Sequence, residues 1–273
     1  LLEILEEGLS PQDQLIRLRY LAIAFNQTGQ PKQAFPLIER AQRMAELLND
    51  NGEQVRVKSV LAAAYARTYA FEEAARAFRE CIQACEDGTL NDPAFHFRRL
   101  VDLAMMQTNL HQSKPALATY ERALEISQQF NDRPTLAGLY AGMAKTYHDS
   151  GDIEAAIVYN QRSLQVYEEL GLIDQVACAL DNAAALYVEY GNITRARESL
   201  SRAAKLAEEA KRDTTLASIK ASEAEVMAKT DADAALEEAQ TALKFARKTD
   251  QPDAQIRMLV LTGELRMKAN GAA

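Results

Sequence analysis

GDIEAA at residues 151–156 returns forty residues later as GNITRA at 191–196. The same six-residue frame stands upstream as GQPKQA at 29–34, YAFEEA at 69–74 and HQSKPA at 111–116. Downstream it appears in degenerate form as TDADAA at 230–235. The closing alanines, Ala34, Ala74, Ala116, Ala156, Ala196 and Ala235, are separated by 40, 42, 40, 40 and 39 residues. A period in this range is the signature of a solenoid, whose units bury their apolar faces only by stacking on one another.

Reading outward from each frame alanine resolves two helices per unit. Four residues on stands a bulky residue at Ile38, Phe78, Tyr120 and Leu200, with Asn160 in its place in the fourth unit. Seven on stands a small one: Ala41, Cys81, Ala123, Ser163, Ala203 and Ala242. Offsets of four and seven share one helical face, so the frame opens an amphipathic helix, here called B. Twelve residues before the frame alanine stand Ala22, Ala62, Ala104, Ala144 and Ala184, and three later a ring at Phe25, Tyr65, Tyr147 and Tyr187. A small residue lets a neighbouring helix approach, and the ring fills the space beside it. This preceding helix is A. Gly29, Gly151 and Gly191 close it, where the chain needs positive φ. Three irregularities stand out: His111 replaces the turn glycine in the third unit, Gln107 replaces its ring, and Glu223 takes the small position in the sixth.

These positions resemble the tetratricopeptide repeat over residues 12–250, with units near 40 residues where about 34 is usual. The lengthened unit is similar to the long-helix subclass of Pins-type polarity adaptors, kinesin light chains, maltose-type activator sensors and peptide-pheromone regulators. The resemblance implies an all-α solenoid, a right-handed superhelix of about six antiparallel helix pairs forming one domain over 1–273. The expected repeats are 12–48, 53–87, 94–130, 134–170, 173–211 and 214–248, with a capping helix at 253–269. That helix reads as amphipathic through Ile256, Leu259, Val260 and Leu265. LLEILEEGL at 1–9 reads as the tail of a preceding helix through Leu1, Leu2, Leu5 and Leu9. Leu1 is not an initiator methionine, which points to a fragment or a processed chain.

Composition agrees with an all-helical reading. The 273 residues carry 11 glycines, 7 prolines and no tryptophan, and the good helix formers Ala, Leu, Glu, Gln and Arg dominate. A net charge of −8 argues against nucleic acid as the partner, since phosphates must be neutralised by a surplus of Lys and Arg. Apolar runs are short, as at Leu61–Tyr65, far from the roughly 20 residues that span a bilayer. Three cysteines make no disulfide framework, and Cys81 and Cys85 read as small residues of a packed seam in a reducing, cytoplasmic setting.

No catalytic or cofactor motif emerges. G-x-G-x-x-G, G-K-[ST], H-E-x-x-H and C-x-x-C are all absent, and His96, His111 and His148 fall in three different units. The expectation is no enzyme, no metal and no cofactor. The acidic pairs on B helices, such as Glu168/Glu169 and Glu208/Glu209, read as solvated faces, and Asn192-Ile193-Thr194 as a helix cap.

Function is therefore expected on the exposed positions of the A helices, which in the resembled family line a peptide-binding groove. Carried across, these are Arg19, Asn26, Arg56, Ser59, Arg67, Arg98 and Asp102, then Lys145, His148, Asp181, Asn182, Glu189 and Lys220. Four arginines against one aspartate in the first three units suit a partner with acidic character, because guanidinium pairs with carboxylates through two parallel bonds. Asp181-Asn182 resembles the Asn-bearing A helix of long-repeat peptide binders, whose amide pairs with a peptide backbone. The expected role is a protein- or peptide-binding scaffold. The alternative is a ligand- or peptide-sensing domain of a larger regulator. Self-association through a terminal helix such as 256–265 is open.

Overall fold

The computed structural model describes residues 8–129 and 131–271, all-α, with thirteen helices among them. They alternate as A and B. The first three pairs are α1 (Pro11–Gln27) with α2 (Pro31–Leu47), α3 (Asn51–Arg67) with α4 (Phe71–Glu86), and α5 (Pro93–Asn109) with α6 (Ser113–Ser127). The next three are α7 (Arg133–Asp149) with α8 (Ile153–Glu169), α9 (Ile173–Glu189) with α10 (Ile193–Glu209), and α11 (Asp213–Met227) with α12 (Ala232–Lys248). A last A-type helix, α13 (Pro252–Gly271), follows. The chain divides into two compact units, Leu1–Thr135 and Leu136–Ala273. Each is an α-solenoid in which antiparallel pairs stack on their sequence neighbours. The expected helix tail at Leu1, Leu2 and Leu5 lies outside the described residues.

Register decides the packing. The fifth, eighth and twelfth residues of an A helix meet its own B helix, as Leu15, Leu18 and Ala22 of α1 do with Ala34, Ile38, Ala41 and Ala45 of α2. Ala177, Leu180 and Ala184 of α9 repeat the arrangement against Ala196, Leu200, Ala203 and Ala207 of α10. Burying a side chain the size of Ile38 or Leu200 contributes about 1.5–3 kcal/mol. The seven-on position of the B helix comes so close that its side chain bonds to the fifth residue of helix A. Ser163 Oγ donates to the Ala137 carbonyl at 3.0 Å and Cys81 Sγ to the Val55 carbonyl at 3.5 Å. Cys81 is thus a seam residue, and all three cysteines are free.

The irregular positions have physical answers. Asn160, at a bulky position, is buried and its Nδ2 donates to the Ala179 carbonyl of the next A helix at 2.9 Å. Gln107, at a ring position, accepts from Thr119 Oγ1 at 2.8 Å. His111 takes the left-handed conformation of the missing glycine at φ 57°, as Tyr69 does at φ 62°. In the sixth pair Glu223 is not the small residue. The sixth pair is one residue short, so Ala224 is the twelfth residue of α11 and is fully buried. Glu223 sits beside it, half-buried, its carboxyl pushed up by burial and by the charges of Glu238 and Glu208, against the pull of Lys220.

The last helix also departs from expectation. Its buried residues are Ala254, Met258, Thr262 and Leu265, facing α11 and α12, whereas Ile256, Leu259 and Val260 are exposed. Of the expected stripe only Leu265 packs inward.

Candidate functional site

Three of the four arginines expected to line the groove of the first unit are paired within the chain. Arg19 Nε lies 2.8 Å from Glu53 Oε2 at the start of α3, with both side chains nearly buried. Arg56 Nη1 reaches Asp92 Oδ2 at 3.2 Å and also pairs with Glu53. Arg98 Nη1 reaches Asp132 Oδ2 at 2.9 Å. Each carboxylate stands at the start of the next A helix, where the exposed backbone N–H groups favour an anion. Arg67 is exposed and is the one of the four with no ion pair among the described residues. Asn26 is buried, its Nδ2 donating to the Val60 carbonyl at 3.1 Å, and Ser59 is buried with its Oγ donating to the Arg56 carbonyl. Burial pushes the Asp102 carboxyl up, against Arg99, whose Nη2 lies 2.8 Å away, and Arg98. Arg19, Asn26, Arg56 and Arg98 thus join A helix to A helix, whereas Ser59 and Asp102 bond within their own helices.

In the second unit several expected residues converge. Asp181, Asn182 and Glu189 of α9, Ser222 and Glu225 of α11, and Arg257 of α13 line one cavity of about 740 Å³. Its apolar wall is built from Val188, Val226, Ile256, Val260, Leu261 and Leu265. Arg257 forks onto Glu225, with Nε–Oε1 2.8 Å and Nη2–Oε2 2.7 Å, while Nη2 also donates to Ser222 Oγ at 2.9 Å. Burial pushes the Asp181 carboxyl above the usual carboxylate range, while a hydrogen bond from Ser222 and the charge of Arg257 pull the other way. The hydrogen bond to Glu225 raises Arg257, so the guanidinium stays charged. Glu189 is also reached from α7, with His148 Nε2 2.9 Å from its Oε1. Lys145 pairs with Asp149 on its own helix at 2.7 Å. Lys220 is not among the cavity residues; its charge acts on Glu223.

Reading the sequence missed Ser222, Glu225 and Arg257. The one-residue shortening of the sixth pair shifted the register that would have placed the first two on the lining face. Arg257 was read as part of a cap when α13 stands in A-helix register. Among the described residues no cluster of three or more His, Cys, Asp or Glu could hold a metal, and no helix is long and apolar enough to cross a membrane.

Repeating A/B pairs define a helical-repeat fold, and in the second unit the A helices enclose a cavity of ligand size. A tetratricopeptide repeat profile matches residues 99–169. No curated protein sequence matches it. Solved structures with the same fold include the STAND signal-transduction ATPase with a tetratricopeptide repeat sensor from Pyrococcus horikoshii. That match has TM-score 0.77 and 19% identity over 94% of this chain, which spans 39% of that protein. The apo quorum sensor NprR from B. thuringiensis gives TM-score 0.71 and 14% identity over 97% of this chain and 80% of its own. A Rap protein complexed with Competence and Sporulation Factor gives TM-score 0.69 and 14% identity over 100% and 80%.

Proposed function

We propose that the chain is a peptide-binding scaffold whose site is the cavity between α9, α11 and α13. The observation that carries this is the pairing of a continuous apolar wall with converging polar groups in about 740 Å³, a size typical of ligand sites. Val188, Val226, Val260 and Leu261 take an apolar side chain of the peptide, and the Asn182 amide supplies both a donor and an acceptor for its backbone. An acidic partner at the first unit would have to displace the ion pairs that Arg19, Arg56 and Arg98 already make within the chain.

A sensory role is the second reading. It is favoured by the position of α13, which forms one wall of the cavity and is tied to α11 through Arg257 and Glu225, so that an occupant touches both. Two of the structural neighbours are described as sensors.

The test is selection of random heptapeptides from a phage library against the folded chain, followed by titration of the enriched peptides. Val188→Arg fills the apolar wall with charge and should weaken them about tenfold or more; Asn182→Ala should weaken them about fivefold, the loss of one hydrogen bond. Peptides that bind both variants as tightly as the wild type would place the site elsewhere.

A further inference from the structure

The charges that line the cavity of the second unit do not balance. Asp181, Glu189, Glu225 and Glu264 stand there against Arg257 and Lys229, four carboxylates to two cations. Glu189, Glu264 and Lys229 are exposed, where water screens them. Deeper in, Arg257 is committed to Glu225 by its two parallel contacts, and its Nη2 also donates to Ser222 Oγ. Asp181 makes no ion pair among the described residues. The groups that face it are Ser222 and Glu225 of α11, Arg257 of α13 and Cys178 of its own helix. Two carboxylates and one guanidinium thus leave one negative charge without a counter-charge. Beside an apolar wall an ionised carboxylate is poorly solvated, and burial raises Asp181 for that reason. A cation carried in by an occupant would relieve this, in a setting where attraction is stronger than in water.

The place of Asp181 along the helix adds a distance. Asp181 also lines a second cavity, of about 290 Å³, with Asp174 and Cys178 of α9 and Thr215 and Ser218 of α11. It is the one residue common to both linings, so it stands where the two spaces meet. From Asp174 to Val188 the axis of α9 rises about 21 Å, the reach of an extended peptide of roughly seven residues. Asp181 lies at the midpoint of that span. Val188, on the apolar wall, is about 10 Å further on, or roughly three extended residues.

We propose that the peptide taken by this cavity carries a basic residue, whose ammonium or guanidinium sits on Asp181, and an apolar residue three positions away against Val188 and Val226. This rests on the reading of the cavity as a peptide site and adds what that site selects. The sign is opposite to that of the partner which the arginines of the first unit suggest.

The probes are heptapeptides selected from a random phage library on the folded chain, then synthesised with the basic residue intact or replaced by norleucine. Lys or Arg is expected to be enriched, with Val, Leu, Ile or Phe three positions away in either direction. Norleucine replacement and Asp181→Asn should each weaken binding about tenfold or more, and the two together little further than either alone, the mark of a direct pair. Affinity for the intact peptide should rise from mildly acidic to neutral pH as Asp181 loses its proton, and stay level for the norleucine peptide. Circular dichroism verifies the fold of Asp181→Asn; if that variant does not fold, the two pH profiles of the wild type decide. Selected peptides that Val188→Arg rejects but that lack a basic residue, or that bind Asp181→Asn as tightly as the wild type, overturn the proposal and leave the cavity reading standing. Level pH profiles for both peptides overturn it too. Absence of any enriched peptide, or peptides indifferent to Val188→Arg, overturns the cavity reading itself and this selectivity with it.

Discussion

Arg98 and Asp132 are joined at 2.9 Å, and the carboxylate that Arg98 reaches also accepts a hydrogen bond from the Thr135 N–H as the N-cap of α7. Arg56 and Asp92 repeat the device at the start of α5, where Asp92 accepts from the Phe95 N–H at 2.9 Å. At the start of α3, Asp50 caps Glu53 N–H and accepts from Gln12 Nε2 at 2.7 Å. One aspartate thus starts a helix and ties it to the A helix before it. A cap needs an acceptor, the positive end of the helix dipole favours an anionic one, and the preceding A helix presents a donor at that height.

These carboxylates make the stability pH-dependent. Hydrogen bonds from Glu53 N–H and Gln12 lower Asp50; burial raises Asp92, but Phe95 N–H and Arg56 outweigh it and hold the carboxyl below its ordinary value. A carboxyl lowered on folding stabilises above its unfolded pKa of about 3.9, and that stabilisation is lost as pH falls through the folded value. Melting temperature should therefore drop below about pH 4, less steeply in Asp92→Asn. At neutral pH Asp92→Ala should cost about 1–2 kcal/mol in urea unfolding, a cap plus a partly exposed ion pair.

His111→Gly should stabilise. His111 holds φ 57° at the end of α5, a conformation that costs an L-residue roughly 1 kcal/mol and glycine almost nothing. A rise in unfolding free energy of about that size is expected, read from the urea midpoint at unchanged slope.

The A-helix small position should respond oppositely in two helices. Ala184 lies under α10, so Ala184→Leu overpacks the seam and should cost about 1–3 kcal/mol. Gly263→Ala, at the same register in α13, meets open space and should gain up to about 1 kcal/mol.

Thiol reactivity separates the cysteines. Burial pushes Cys81 to about 12, and its sulfur lies in the α3/α4 seam, so it should stay unmodified by iodoacetamide until the chain unfolds. Cys178 is exposed and should label first, slowly at pH 7 because desolvation raises it too. Mass spectrometry of a time course checks the order.

Much of this architecture was readable from spacing alone. Ala34 to Ala235 at intervals near 40 place every turn, and the offsets of four, seven and twelve locate the seams, because an α-helix converts sequence spacing into angle. His111 was read as the replacement for a turn glycine, and it takes the left-handed backbone that the frame fixes, as Tyr69 does in the second pair.

Other features needed three dimensions. That Arg19, Arg56 and Arg98 end on carboxylates 34 to 36 residues away depends on where one A helix starts beside another, a distance no local pattern encodes. The exposure of Ile256, Leu259 and Val260 was likewise hidden. An apolar stripe reads the same whether a helix covers it or not, and only the packing of Ala254, Met258 and Leu265 inward shows which side of α13 is spent. Repetition along the chain determined the fold. Contact between successive A helices decided which charges are spoken for and which groups line the cavity.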